Sequence, residues 1–201
     1  MRKGAVDISI GFIVVIIFAV ILLSLAIVWL RGTIEQITGL TTDLSQQAQS
    51  KLTETFRQAT SNFAVWPNQY EIEPGKKLVM SGGVKNNAPD GQSHDFVINV
   101  VPIAASSSVC PTGNIETCTV PGGITMKSFM EGWVTADKGP TRVEINGMWF
   151  PKITITLPNN AMKGDYIFNA MACKDILNPN DCTRTTLNWG GSSQSIMVTA
   201  K

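Results

Sequence analysis

Two hydropathy patterns divide the chain. From Ile8 to Leu30 (ISIGFIVVIIFAVILLSLAIVWL) all 23 positions are apolar or small. At about 1.5 Å per residue such a helix reaches roughly 34 Å, enough for a hydrocarbon core of about 30 Å, so the run predicts a transmembrane helix. From Thr33 to about Asn62 the chain turns polar but keeps an apolar stripe at Ile34, Ile37, Leu40, Leu44, Ala48, Leu52, Phe56, Ala59 and Phe63. Gaps of three and four predict an amphipathic helix, a stalk that carries the membrane helix roughly 45 Å outward. Gly32 and Gly39 are weak points for helix propensity and allow a bend near the membrane surface. The stripe has two readings: it docks on the protein's own globular domain, or it packs on identical helices of neighbouring subunits. Its polar face carries Gln, Thr and Ser rather than a charge ladder that would specify a coiled coil.

At Val65-Trp66-Pro67 the helical period stops and short β-type runs begin, separated by Gly, Pro, Asn and Asp. Candidate strands are 70–72, 77–84, 95–103, 123–129, 133–135, 141–145, 152–157, 164–173, 184–187 and 195–199. Alternation is clean in Lys152-Ile153-Thr154-Ile155-Thr156-Leu157, which puts Ile153, Ile155 and Leu157 on one side. Many short strands predict a β-sandwich, with an up-and-down barrel as the competing architecture. The organisation expected is therefore a basic head (1–7), a transmembrane helix (8–30), an amphipathic stalk (31–64) and an outer β-domain (65–201), an α+β chain.

Charge adds orientation. Arg2 and Lys3 precede the apolar run, whereas Arg31 beyond it is offset by Glu35 and Asp43, which favours the N-terminus in the cytoplasm and the C-terminal domain outside. A cleaved secretory signal would have a shorter apolar region and small residues after it, where this chain has Trp29-Leu30-Arg31-Gly32. With a net charge of +1 and cations scattered singly, no nucleic-acid surface is expected. No cofactor or metal is expected either, and the single His94 lacks an accompanying nucleophile motif, so the chain reads as non-enzymatic. Asp7, at the start of the apolar run, either sits among inner headgroups or pairs with a neighbouring subunit's N-terminal amine during assembly. Trp66, Trp133, Trp149 and Trp189 are read as core aromatics, the alternative being a carbohydrate-facing platform. No Asn-x-Ser/Thr sequon occurs.

The four cysteines form two local pairs, Cys110 with Cys118 (CPTGNIETC) and Cys173 with Cys182 (CKDILNPNDC). Each brackets a turn-rich loop, and an outward-facing domain permits oxidation, so two short-loop disulfides are expected, with crossed pairing as the alternative. Zinc knuckles of the CxxC type are absent. The bracketed loops, 104–121 and 175–184, are where a partner site is sought first.

Two resemblances follow. An EPGKKLVMSGGVKNN opening, with a later ITITLPNNAMKGDYIF, resembles the immunoglobulin-like modules of archaeal and bacterial surface proteins. It implies an immunoglobulin-like antiparallel β-sandwich over roughly 70–173, with Pro158 ending a strand, Gly164 allowing a turn, and Tyr166 as a corner residue whose hydroxyl caps a loop. The order of basic head, Gly4, a small residue and an immediate apolar helix resembles the class III signal of archaeal type IV pilin-like proteins, a family that includes archaellins. That resemblance implies cleavage between Gly4 and Ala5 after Lys3, leaving the helix as a filament core. It departs from bacterial-type pilins in carrying Ser9, not Glu, at the fifth mature position.

The function expected is a cell-surface structural one, a pilin-like subunit or pilus- or archaellum-associated component. Its expected partners are the lipid bilayer and either copies of itself through the N-terminal helix or an envelope or filament protein. The alternative is a single-pass anchored ectodomain that binds an envelope partner without polymerising.

Overall fold

The computed structural model describes residues 10–58 and 61–201, with side chains described at all of them except 10, 12, 28–45, 58 and 192. Contacts divide the chain into two units, Met1–Asp43 and Leu44–Lys201. Helix α1 (Ile10–Gln58) has residues in both. In the first unit its side chains Ile13 to Ile27 are exposed, among them Phe18, Leu23 and Leu25, each more than 60% accessible. Among the described residues, no helix is long and apolar enough to cross a membrane. The stretch of described side chains 13–27, apolar except for Ser24, would reach about 22 Å as a helix. The expected membrane run extends on both sides into residues that lie outside this description, as do Lys3, Gly4, Ala5 and Asp7.

The second unit begins within α1. Ala48, Leu52 and Phe56 recur every four residues, share one helix face, and are buried. They lie on the globular domain, where the Phe56 ring sits so close to Gly83 that a Cβ there would stand 2.8 Å from Cε2 and 2.9 Å from Cζ. The described part of the stripe thus packs on the protein's own domain. The side chains of Ile34, Ile37, Leu40 and Leu44 lie outside the description, as does Ala59. Phe63, expected as the last stripe position, instead opens the first strand.

Ten strands follow: β1 (Phe63–Trp66), β2 (Gln69–Ile72), β3 (Lys77–Lys85), β4 (His94–Ala105), β5 (Val134–Ala136), β6 (Thr141–Val143), β7 (Met148–Trp149), β8 (Lys152–Thr156), β9 (Gly164–Lys174) and β10 (Trp189–Ala200). They build two five-stranded sheets. One runs β1-β3-β8-β5 with β7 also on β3, and the other β2-β10-β9-β4-β6. Between them lies the core, drawn from both inner faces: Leu78, Met80, Ile153 and Ile155 from the first, Phe96, Ile98, Phe168 and Ile196 from the second. This is the two-sheet, immunoglobulin-like sandwich expected, with one difference from a purely antiparallel arrangement: β2 pairs parallel with β10.

Two expected strands are absent. Within 123–129 the chain forms a short helix, α2 (Met126–Glu131), because Thr125 caps it and Met126 and Met130, four apart, turn to the core. Residues 184–187 form a turn held by Thr183 and Thr186 hydroxyls, with Thr183 N–H donating to Thr186 Oγ1 at 2.8 Å. Tyr166 does act at a corner. Its hydroxyl donates to the Met162 carbonyl at 2.7 Å, closing the loop before β9, while its ring packs edge-on to Trp133 at 4.7 Å.

Two predictions follow from this packing. Phe56→Ala, by emptying the site over Gly83, lowers the stability of the outer unit by about 3 kcal/mol, read as a lower denaturant midpoint of the full chain in detergent. Burial pushes the Tyr166 phenol up to about 12. Because the folded value lies above the ordinary one of 10, its contribution to stability is complete below pH 10 and is lost as pH rises toward 12. Melting temperature measured across that window falls in the wild type, and falls less in Tyr166→Phe, which itself costs about 1 kcal/mol at neutral pH through the lost hydrogen bond.

Candidate functional site

Alternation along β4 and β9 sends Ile98, Val100, Phe168 and Ala170 into the core and Asn99, Val101, Asn169 and Met171 to the opposite face of the sheet. That outer face is covered from two sides by loops, and a cleft of about 580 Å³ remains between them. Its floor is Asn99, Val101, Asn169 and Met171.

One wall comes from the loop between β4 and β5. Asn114 organises it: its carbonyl accepts from Thr117 N–H at 3.1 Å and Cys118 N–H at 3.0 Å, and its Oδ1 accepts from Glu116 N–H at 2.9 Å. The loop is stitched to α2 by Met126 N–H to the Cys118 carbonyl at 2.7 Å and Lys127 N–H to the Ile115 carbonyl at 3.0 Å. The disulfide expected here is not formed. Cys110 and Cys118 are buried free thiols, with Cys110 Sγ 3.4 Å from Thr112 Oγ1 and Cys118 Sγ directed at the Val109 carbonyl, and these backbone bonds already close the loop without a covalent link. Burial pushes the Cys110 thiol up, but hydrogen bonds from Cys118 and Thr112 outweigh it and hold the group below its usual range. The Cys118 thiol is pushed up by its bond with Cys110 and by burial.

The other wall is the loop between β9 and β10, and here the expected bridge is present, Cys173 to Cys182, with a Cα separation of 5.7 Å. Cys173 and Cys182 pack with Val97 and Met171 in a small apolar cluster outside the main core. Asn99 ties this wall to the floor, its Nδ2 donating to the Cys182 carbonyl at 3.0 Å. Asn188 clips the loop's far end to β9, accepting from Lys174 N–H at 2.7 Å and donating to the Lys174 carbonyl at 2.9 Å.

Where this second loop leaves the sheet, His94 holds it. Nδ1 lies 2.9 Å from Asp175 Oδ2, and Nε2 lies 3.0 Å from both carboxylate oxygens of Asp90. Lys174 adds a cation within 4.0 Å of both acids. Asp90 is presented by the turn after Asn86, a fully buried side chain that bonds Gln92 and Val143 carbonyls at 2.9 Å each and accepts from Ala88 N–H. His94 therefore has a positioning role between two loops, with both ring nitrogens engaged. Among the described residues, no group of three or more His, Cys, Asp or Glu side chains is arranged to hold a metal ion.

The cleft's rim carries both charges. Lys127 pairs with Glu116 at 2.9 Å, and that bond raises the lysine's pKa. Arg184 stands exposed on the opposite wall with no ion partner among the described residues. Trp133 and Trp189 belong to the core, Trp189 packing on Phe96 at 5.1 Å, so the four tryptophans do not form a shared outer platform. The cysteines drew attention to these two loops, which form the walls of the cleft. The two floor amides were not singled out, although an Asn inside an otherwise apolar strand, in VINVV and IFNAMAC, is the signal that finds them.

No family model and no curated protein matches the chain. Among solved structures it is similar to the ASH/PapD-like domain 7 of human CEP192, at 11% identity and a TM-score of 0.40 over 70% of this chain and 86% of that one. It is also similar to WR4, an MSP family member of C. elegans, at 8% identity and a TM-score of 0.38 over 70% of this chain and 99% of that one. A third is a chaperone–tip adhesin complex of CFA/I fimbriae, at 8% identity and a TM-score of 0.35 over 70% of this chain and 57% of that one. These are likenesses of sandwich architecture at low identity.

The His94 bond holds the Asp90 carboxyl below its ordinary value of 3.8. A depressed folded value means that the stabilisation is complete above about pH 4 and disappears as pH falls further. The melting temperature of the wild type therefore drops more steeply between pH 4 and 2 than that of Asp90→Asn.

Proposed function

We propose that the chain is a cell-surface structural protein, a pilin-like subunit or filament-associated component, that keeps its N-terminal helix and carries the β-sandwich outside the membrane. One observation carries the reading. From Ile13 to Ile27 the helix exposes isoleucine, valine, leucine and phenylalanine, interrupted only by Ala19, Ala26 and Ser24, and Ser24, the one polar side chain in that stretch, donates its hydroxyl to the Val20 carbonyl at 2.8 Å. Nothing on that surface requires water. A helix apolar on every side is stable only when covered by lipid or by other apolar helices. Together with the flanking residues of the 23-residue run it has the length to span a bilayer. The basic head orients it with the N-terminus in the cytoplasm. The resemblance of Lys3-Gly4-Ala5 to a class III signal supports release of this helix from a short leader into an assembly.

The second reading, a permanent single-pass anchor whose outer domain binds an envelope partner, is favoured by a separate observation. Ala48, Leu52 and Phe56 are spent on the protein's own sandwich, which removes that part of the stripe from contacts between subunits. Neither reading calls for catalysis or a cofactor.

Mass determination of the protein from native membranes tests the choice. The expected result is a chain beginning at Ala5 and recovered in the sheared, high-mass surface fraction. A chain beginning at Met1 and confined to membranes overturns the pilin-like reading in favour of the anchor. A secreted form lacking residues 8–30 overturns both.

A further inference from the structure

The cleft on the outer face of β4 and β9 presents two half-paired carboxamides. Asn169 is 2% exposed and Asn99 6% exposed, yet each keeps half of its carboxamide free. Asn169 Oδ1 accepts from the Ser195 hydroxyl at 3.3 Å, leaving Nδ2 without a partner among the described residues. Asn99 Nδ2 is taken by the Cys182 carbonyl, leaving Oδ1 without one. Both residues line the cleft, and neither free atom is fully sealed from solvent, so a donor and an acceptor on largely buried side chains are both available to a ligand there. A ligand that pairs with both is favoured over one that displaces their water and leaves them unmatched.

We infer that this cleft binds an extended, uncharged peptide segment of a partner protein, with Asn169 Nδ2 donating to a peptide carbonyl and Asn99 Oδ1 accepting from a peptide N–H. The spacing fits. Asn99 faces Met171 in the β4–β9 register and Val101 faces Asn169, so the two amides are diagonal neighbours. Diagonal neighbours stand about 7–8 Å apart. Along an extended chain, groups that point the same way recur every second residue, about 6.8 Å. Between and beside the amides, Val101, Met171 and the exposed Ile103 offer apolar contact for the segment's alternate side chains. The charge also fits. Lys127 and Arg184 are balanced by Glu116 and Glu131 around the rim, which provides no net field for an acidic or a basic ligand. No aromatic ring lines the cleft, so it lacks a stacking face for a sugar. The inference does not depend on whether the N-terminal helix polymerises or anchors.

The test is selection of phage-displayed random dodecapeptides on the full chain in detergent, followed by titration of the synthetic winners. Enriched peptides are expected to be uncharged through the central residues. They are expected to lose about tenfold in affinity to Asn169→Leu, the equivalent of one neutral hydrogen bond. Ile103→Arg, a change to an exposed side chain that leaves the Ser195 bond intact, should weaken them comparably and keeps the test informative where Asn169→Leu fails to fold. Absence of any enriched peptide, enrichment of charged sequences, or affinities unmoved by Ile103→Arg would overturn the inference. So would hits confined to neutral oligosaccharides on a glycan array.

Discussion

Burial of β4 and β9 on both faces is the constraint around which the β-domain is organised. Phe96 through Val100 and Phe168 through Cys173 are all buried, an unbroken run on each strand rather than every second residue. An antiparallel pair can leave one face to water. This one cannot, because its outer face carries Val97, Met171 and Cys173. Something must lie over them, and the chain uses the two long loops that leave the ends of the same strands. Each loop then needs internal closure, since neither has a core of its own. One is closed by Asn114 and the start of α2, the other by Cys173–Cys182, Asn188 and the His94 clamp on Asp175. The cleft is what the two covers leave between them, and its amide floor is a consequence of the same alternation that fills the core.

Much of this was legible in the residues. Continuous apolar runs such as FVINVV and YIFNAMAC read as strands because β-branched and aromatic side chains dominate them. The corner Tyr166 was legible because a Pro-ended strand and a Gly turn precede it. What failed did so for specific reasons. Phe63 continued a spacing of three and four, so it looked like one more helix position, although Gly190 packs against its Cβ in the folded sheet. The sequence ITMKSF alternates like a strand, but the Thr125 cap and the four-residue spacing of Met126 and Met130 prevailed. The first half of β10 was hidden by Gly190, Gly191 and two serines, because the chain bulges between Trp189 and Gln194 and both glycines take positive φ there. The cysteine pairs looked equivalent in spacing, but only Cys173 and Cys182 are bridged, while the Cys110–Cys118 loop is held to α2 by backbone hydrogen bonds.

A helix can be amphipathic for one part of its length and apolar on all sides for another, and α1 contains both kinds of surface. Over Ile13–Ile27 the exposed side chains are apolar on every face except at Ser24, so no single face is distinguished for packing. Over Ala48–Phe56 one face is buried, and residues between them, Gln49, Lys51 and Glu54, stay outside, with Lys51 and Glu54 paired at 3.4 Å. Such an exposed pair contributes little to stability, so the docking of the last turns rests on Leu52 and Phe56. These two side chains meet the sheet at Gly83, which has no side chain to hold them off. A glycine within β3, which weakens an isolated strand, is therefore a cost offset at position 83 by the helix it admits. It follows that the folding unit of the β-domain does not start with its first strand. Stripped of the turns before Gln58, the sandwich would lose the Leu52 and Phe56 side chains that cover Gly83, and the seat over that glycine would remain with nothing to fill it.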